Sequence, residues 1–250
     1  MSDATEKSAG GQFRLLGSRR FAPLFLTQFL GAFNDNLYKN ALVVLVTFQS
    51  AQWTSMRPEI LANLAAGLFI LPFFFFSATS GQLADKYDKA MLARLTKLLE
   101  IGIMIVAIAG FLVHSLALLL GALFLLGLQS TLFGPVKYAI LPQHLSEEEL
   151  VGGNAQVEAG TFVAILIGTL AGGLLAGAGV DAVWIAMAGF AVAVAGYLAS
   201  RNIPEAPPPA PELVVNVNPL SETWRNIGFA RENRTVFLSI LGISWFWLYG

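Results

Sequence analysis

Long apolar runs dominate the sequence and limit what the chain can fold into. A helix needs about 20 mostly apolar residues to cross the hydrocarbon core of a bilayer. Six runs fit that requirement, and they cover residues 21–49, 59–83, 95–113, 116–137, 151–178 and 181–200. A seventh apolar run begins near residue 235 and continues to Gly250. The pattern predicts an all-α integral membrane protein.

The composition supports the membrane class and argues against several kinds of chemistry. Charged residues make up 12% of the chain, against about a quarter in a soluble domain. The net charge of −1 gives no reason to expect a nucleic-acid partner. The chain has no cysteine and only two histidines, so we expect no metal site and no cofactor. No nucleophile with a neighbouring base is visible, and we therefore expect no enzymatic activity in residues 1–250.

Basic residues concentrate in every second loop, which predicts the orientation of the helices. They lie before the first run, between the second and third runs, and after the sixth run. These residues are Lys7, Arg14, Arg19, Arg20, Lys86, Lys89, Arg94, Lys97, Arg201, Arg225, Arg231 and Arg234. Because basic loops stay in the cytoplasm, the N-terminus is predicted to be cytoplasmic.

The apolar runs divide the chain into four segments. Residues 1–20 are predicted to be a cytoplasmic tail, 21–200 a six-helix bundle, 201–234 a cytoplasmic linker, and 235–250 the start of a seventh transmembrane helix. The linker begins with a proline-rich stretch, which favours an extended conformation without packing. It ends in SETWRNIGFARENR, which predicts either an amphipathic helix at the membrane surface or a solvated tether. This order is typical of the first half of a transporter built from two bundles.

Four polar residues interrupt the first apolar run: Asn34, Asp35, Asn36 and Lys39. Asp35 lies about 14 residues into the run, or about 21 Å along a helix, near the middle of the bilayer. Inserting a carboxylate there costs at least ~2.5 kcal/mol, so Asp35 is expected to face the bundle interior or a cavity. Two interpretations remain open. Asp35 fixes helix packing through hydrogen bonds from Asn34 or Asn36, or it binds a cationic group or coupling ion. Lys39 lies one turn further on the same face and can pair with Asp35.

A charged turn follows the second run, in the stretch GQLADKYDKA that begins at Gly81. One interpretation is ordinary cytoplasmic charge at the end of a helix. The spacing also resembles the signature loop between the second and third helices of the major facilitator superfamily. In that family the loop holds the two bundles together in one conformation. The resemblance implies a gating role for Gly81, Asp85, Lys86, Asp88 and Lys89.

Two further charged residues lie in the fourth and fifth runs. Lys137 follows Gly134-Pro135, which is predicted to interrupt the hydrogen-bond ladder near the end of the fourth helix. Its ammonium either extends to the head groups of the membrane or binds a phosphate at the mouth of a cavity. Glu158 either pairs with Lys137 across the helices or lies at the membrane interface.

Glycine pairs in the fifth run predict close helix packing. Gly168/Gly172 and Gly173/Gly177 have the small-xxx-small spacing that lets two membrane helices approach. The second run contributes a phenylalanine series, Phe73–Phe76. A helix turns about 100° per residue, so at least half of these rings are expected to face lipid.

Three stretches together resemble one family of membrane transporters. They read RRFAPLFLTQFLGAFNDNLYKNAL, FGPVKYAILPQHL and LVGGNAQVEAGTFVAILIGTLAGGLLAG. They are similar to the lysophospholipid transporter family of the major facilitator superfamily, over about Arg19 to Ser200. The F-N-D-N-x-x-K form is most similar to members that are fused to an acyltransferase and an acyl-carrier-protein synthetase.

The resemblance implies a function and a site. Such proteins move lysophospholipid, chiefly the ethanolamine type, to the inner leaflet of the bacterial inner membrane, where an acyltransferase re-acylates it. The resemblance implies substrate or ion binding by Asp35, Lys137 and Glu158, with Asn34, Asn36 and Lys39 beside them. A carboxylate suits the ammonium of such a lipid, and a lysine suits its phosphate. Two alternatives remain open: a carrier of a small polar solute or drug, and a membrane anchor for an acyltransferase beyond Gly250.

Overall fold

The regular structure of the chain is helical throughout the part that the structure describes. The structure is a computed structural model and describes residues 13–49 and 53–249, so part of the predicted tail and Gly250 lie outside the described residues. A 3-10 turn at Arg14–Gly17 precedes α1 (Ala22–Phe48), α2 (Pro58–Lys86), α3 (Lys89–Leu112), α4 (Leu116–His144), α5 (Glu147–Gly177), α6 (Ala182–Ser200), α7 (Pro219–Glu232) and α8 (Arg234–Tyr249). The all-α prediction is confirmed.

Five of these helices, α2 to α6, are long and apolar enough to cross a membrane. Helix α1 is also long, with 27 residues, but the polar group around Asp35 lowers its mean hydropathy. The predicted crossing by α1, and with it the count of six spans before a seventh, therefore stays a prediction.

Glycines allow a close backbone contact between α1 and α5. A Cβ added at Gly168 would collide with the backbone oxygen of Phe33, and one added at Gly172 with the oxygen of Leu37. This glycine pair therefore packs as predicted. A Cβ at Gly173 or Gly177 would meet open space among the described residues. The prediction that this second pair packs against another helix is therefore wrong for the described part of the chain. Helix α6 packs on α1 and α3, while α4 packs on α2 and α3.

Helix α4 continues through Pro135 to His144, and the proline interrupts its hydrogen-bond ladder there, as the sequence predicts. A proline inside a helix lacks the N–H that would bond to the carbonyl four residues earlier. Here that carbonyl belongs to Thr131, and it accepts a hydrogen bond of 2.7 Å from the Ser80 hydroxyl of α2. A neighbouring helix thus satisfies the group that the proline leaves free, and α4 stays straight enough to carry both Ser130 and Lys137.

The proline-rich linker is packed on the bundle, which corrects the prediction of an unpacked segment. We call residues 203–216 the strap. The Ala206 N–H donates to Asp88 Oδ2 (2.9 Å), and the Ala206 carbonyl accepts from the Lys89 N–H (3.0 Å). The Lys89 ammonium donates to the Pro207 carbonyl (3.1 Å). Gln82 exchanges hydrogen bonds of 2.7 and 3.1 Å with the backbone of Asn216.

The strap is held because polar side chains at the helix ends satisfy its backbone. Prolines remove N–H donors and prevent the strap from pairing with itself. Buried carbonyl and N–H groups need partners, and the ends of α2, α3 and α4 provide them. The apolar side chains of Ile203 and Ala206 are buried in the same contact, at 2% and 0% exposure.

Candidate functional site

A cavity of about 450 Å³ is lined by residues of α1, α2, α3, α4 and α5. This is the size range of ligand pockets in proteins. Four charged side chains line it: Asp35, Lys39, Lys97 and Lys137. Another cavity, of about 480 Å³, lies beside Trp53 and His114, but its one charged lining residue, Asp181, caps α6 by accepting from the Val183 N–H. The first cavity is therefore the candidate site.

Asp35 lines this cavity, and one of its carboxylate oxygens has no hydrogen-bond partner among the described residues. The residue is 6% exposed, and its Oδ2 accepts a hydrogen bond from the Ser130 hydroxyl of α4. Its Oδ1 is buried and has no hydrogen-bond partner. The neighbouring amides do not bind it, since Asn34 donates to Glu100 (2.7 Å) and Asn36 to a carbonyl of its own helix. A packing role through those amides is therefore wrong, and the free oxygen suits a cationic partner.

Lys39 and Lys137 reach the cavity as half-buried side chains held over aromatic rings. The Lys39 ammonium lies 5.0 Å from the centre of the Phe69 ring, and that of Lys137 lies 4.7 Å from the Tyr138 ring. Such contacts stabilise a cation by about 0.5–2 kcal/mol. The ion pairs between described residues include neither lysine, so the predicted pair of Lys39 with Asp35 is not formed. Both ammonium groups remain available to an anion.

Glu158 and Asn34 do not line the cavity. The Glu158 carboxylate accepts a hydrogen bond from the Tyr138 hydroxyl, and it forms no ion pair with Lys137 among the described side chains. Tyr138 itself lines the cavity, so Glu158 acts at one residue's remove. Of the predicted binding residues, the structure brings together Asp35, Asn36, Lys39 and Lys137.

A buried ion pair beside the cavity escaped the sequence analysis. Lys97 and Glu100 are each 1% exposed, with 2.6 Å between Nζ and Oε2. The prediction that Lys97 lies in a cytoplasmic loop is wrong, because α3 begins at Lys89 and places Lys97 two turns inside the helix. The i, i+3 spacing of a lysine and a glutamate at the start of an apolar run is the signal that could have shown this pair.

The rest of the lining supplies apolar surface. Phe69, Phe73, Phe133 and Ile165 line the cavity. Of the predicted series Phe73–Phe76, only Phe73 belongs to this lining, and Phe74 is 72% exposed on the outside of the bundle. This lining agrees with the predicted division of the rings, and their contact with lipid stays a prediction. One cavity therefore combines charged groups with aromatic wall.

The charged turn at 81–89 lies at the strap and does not line the cavity. Asp88 caps α3 through the Met91 N–H (2.7 Å), and the Asp85 carbonyl accepts from the Ala210 N–H (3.0 Å). The Lys86 ammonium lies 5.8 Å from the Tyr87 ring, and a Cβ at Gly81 would meet open space. These contacts join the turn to the strap, and its gating role stays a prediction.

The chain is similar to known membrane transporters. A sequence profile of the Major Facilitator Superfamily matches residues 24–250. The lysophospholipid transporter LplT of Serratia proteamaculans (strain 568) is 29% identical over 236 residues, which cover 92% of this chain and 54% of that protein. The lysophospholipid transporter LplT of Escherichia coli (strain SE11) is 30% identical over 238 residues, or 93% and 55%.

These similar proteins have the same family name as the family that the sequence motifs resemble. The lysophospholipid transporter LplT of Klebsiella pneumoniae (strain 342) is 29% identical over 247 residues, covering 93% of this chain and 55% of that protein. The chain thus spans about half the length of the curated relatives it matches.

Proposed function

Because the chain belongs to the Major Facilitator Superfamily, we propose that it is part of a membrane transporter that moves lysophospholipid by alternating access. The similar proteins are named lysophospholipid transporters, and five described helices are long and apolar enough to span a membrane. The observation that carries the proposal is the cavity, where Asp35, three lysines and phenylalanine rings share one lining.

Each part of a lysophosphatidylethanolamine molecule has a matching group in this cavity. The ammonium of the head group binds the free Oδ1 of Asp35, and its phosphate binds the ammonium of Lys137. Both contacts are charge-assisted hydrogen bonds, which are about twice as strong as neutral ones. The single acyl chain lies on the wall formed by Phe69 and Phe73. A small polar solute has no use for that wall, so the cavity favours the lipid.

We place the transporter in the bacterial inner membrane, with the strap and the N-terminus on the cytoplasmic side. Arginines remain concentrated at the strap end after Lys97 has been assigned to the interior, among them Arg20, Arg94 and Arg201. This distribution agrees with the rule that basic loops stay in the cytoplasm. The lipid then arrives where an acyltransferase, fused or separate, re-acylates it. We propose transport, and not catalysis, as the role of this part of the protein.

Transport by the complete protein that contains this chain tests the proposal. Vesicles holding the protein receive labelled lysophosphatidylethanolamine in the outer leaflet, and its arrival in the inner leaflet is followed over time. We expect rapid movement of this lipid and none of two-chain phosphatidylethanolamine. The control is Arg57→Gln, whose side chain is 76% exposed in the α1–α2 connection. Movement no faster than in protein-free vesicles would refute the proposal.

A further inference from the structure

The ammonium of Lys97 is a cation at the cavity whose position is built into the packing of three helices. Lys97 belongs to α3 and lines the same cavity as Asp35. Its Nζ lies against Gly31 of α1, where an added Cβ would collide with it. A Cβ at Gly196 of α6 would touch Lys97 Cδ at 3.4 Å. The two glycines thus leave space for the Lys97 side chain. A lysine on an open surface would not need glycines beside it.

Glu100 holds this ammonium without depending on it. Lys97 Nζ donates to Glu100 Oε2 at 2.6 Å. The same carboxylate accepts from Asn34 Nδ2 at 2.7 Å and from Gln129 Nε2 at 3.4 Å. If Lys97 turns to another anion, Glu100 keeps two amide donors and is not left as a buried charge without partners. Breaking a buried ion pair is costly because it leaves an uncompensated charge, and the two amide donors lower that cost for Glu100.

The balance of charge at the cavity favours an anion next to Lys97. Three lysines and one aspartate line the cavity, and Glu100 accepts a hydrogen bond from Lys97. With Asp35 committed to a cationic head group, the lysines are left to meet a negative group. A phosphate has several oxygen atoms that accept hydrogen bonds, so it can bind more than one ammonium.

We propose that Lys97 is a second phosphate-binding residue of the lysophospholipid site, held by Glu100 until the head group arrives; this assignment rests on the transport function proposed above. When the phosphate enters, the ammonium leaves Glu100 Oε2 and donates to a phosphate oxygen. Glu100 stays in place on Asn34 and Gln129. The Phe133 ring, 5.4 Å from the ammonium, remains beside it. Lys97 and Lys137 then bind the phosphate between α3 and α4.

Competition binding to the complete protein tests this assignment with two probes, lysophosphatidylethanolamine and monoacylglycerol, which lacks phosphate. The informative variant is the double substitution Lys97→Gln with Glu100→Gln, because it removes both charges and leaves neither unpaired. We expect it to bind monoacylglycerol within about twofold of wild type. Its preference for the phosphate-bearing probe should fall at least about tenfold, as expected when a charge-assisted hydrogen bond is lost.

The outcomes separate this role from a merely structural one. A structural pair would lower the affinity for both probes together, and that result overturns the assignment. A wild-type preference for phosphate in the double variant overturns it as well, while leaving the transport function intact. A wild-type protein that binds and moves no lysophospholipid would refute the transport function itself. The exposed variant Arg57→Gln serves as the matched loss of a positive charge outside the cavity.

Discussion

Only one of the two carboxylate oxygens of Asp35 has a hydrogen-bond partner among the described residues. The Ser130 hydroxyl donates to Oδ2, whereas Oδ1 is buried and has no hydrogen-bond partner among the described residues. A buried polar atom without a partner is uncommon in folded proteins, and it costs free energy until a partner arrives. The hydroxyl thus holds the carboxylate in one orientation before the ammonium binds.

Replacing Ser130 with alanine should weaken transport without unfolding the bundle. A hydrogen bond to a charged group contributes about 1.5–3 kcal/mol, so we expect the kcat/KM for lysophosphatidylethanolamine to fall at least about tenfold. The matched control is Ser77→Ala, since the Ser77 hydroxyl bonds only to a carbonyl of its own helix. Equal transport by the two variants would show that the Ser130 contact does not orient Asp35.

Individual residues could be predicted from the sequence where a single position violates its surroundings. Asp35 was found this way, since a carboxylate deep in an apolar run has to face the interior. The same rule does not identify Lys97. A lysine near the start of a span fits the positive-inside pattern, so the sequence does not show whether its side chain is buried. Its partner Glu100 only becomes visible once the helix start at Lys89 is known.

At the scale of the helices, the glycine face of α5 decides how close α1 can come. Gly168 and Gly172 face the backbone of α1, while Gly173 is turned away into open space. The spacing of small residues predicted such a face, but four-residue spacing also fits the pair on the neighbouring side. Only the rotation of α5 about its axis, which its neighbours fix, distinguishes the two.

The contrast between Gly172→Ala and Gly173→Ala tests this contact. Overpacking an interior costs about 1–3 kcal/mol, whereas alanine in an open helical position stabilises by about 0.5–1 kcal/mol over glycine. In detergent, the midpoint of thermal unfolding should drop for Gly172→Ala and stay level or rise for Gly173→Ala. A drop of the same size in both would mean that the α1–α5 contact does not depend on Gly172.

Helix continuity shows what local sequence rules leave out. The Gly134-Pro135 pair predicts an interrupted hydrogen-bond ladder, but not that Ser80 of another helix bonds to the freed carbonyl of Thr131 while α4 continues. The helix spans could be predicted from apolar length, since that signal is local. A partner 51 residues away is not a local signal.

At the scale of the whole molecule, the strap joins the ends of α2, α3 and α4. The proline content predicts an extended linker. An extended strap can form the observed hydrogen bonds with the helix ends. Packing escaped the prediction because it depends on side chains such as Gln82, Asp88 and Lys89, which lie more than a hundred residues earlier. The strap therefore restrains the charged turn for which the sequence predicts a gating role.

Cysteine labelling measures whether the strap stays docked. The described chain has no cysteine of its own, so Ala206→Cys, at a site that is 0% exposed, reports on one position. We expect slow reaction with a maleimide in an otherwise cysteine-free complete protein. Adding Lys89→Met removes the ammonium that donates to Pro207, and labelling should accelerate at least about tenfold.

The control for the strap is Val214→Cys, at a residue that is 85% exposed. It should react rapidly both with and without Lys89→Met. If Ala206→Cys reacts as fast as Val214→Cys without Lys89→Met, the strap of the membrane-embedded protein is not packed on the helix bundle. The link between the strap and the charged turn would then be lost.

The central claim is that Asp35 binds the ammonium of a one-chain phospholipid, and head-group selectivity tests it most directly. Affinities of the complete protein for lysophosphatidylethanolamine and for lysophosphatidylglycerol, which has no ammonium, are compared in wild type and in Asp35→Asn. The account predicts that the variant loses at least about tenfold in affinity for the ethanolamine lipid, as expected for a charge-assisted contact, and little for the glycerol lipid. An Asp35→Asn protein that binds lysophosphatidylethanolamine as tightly as wild type would contradict it.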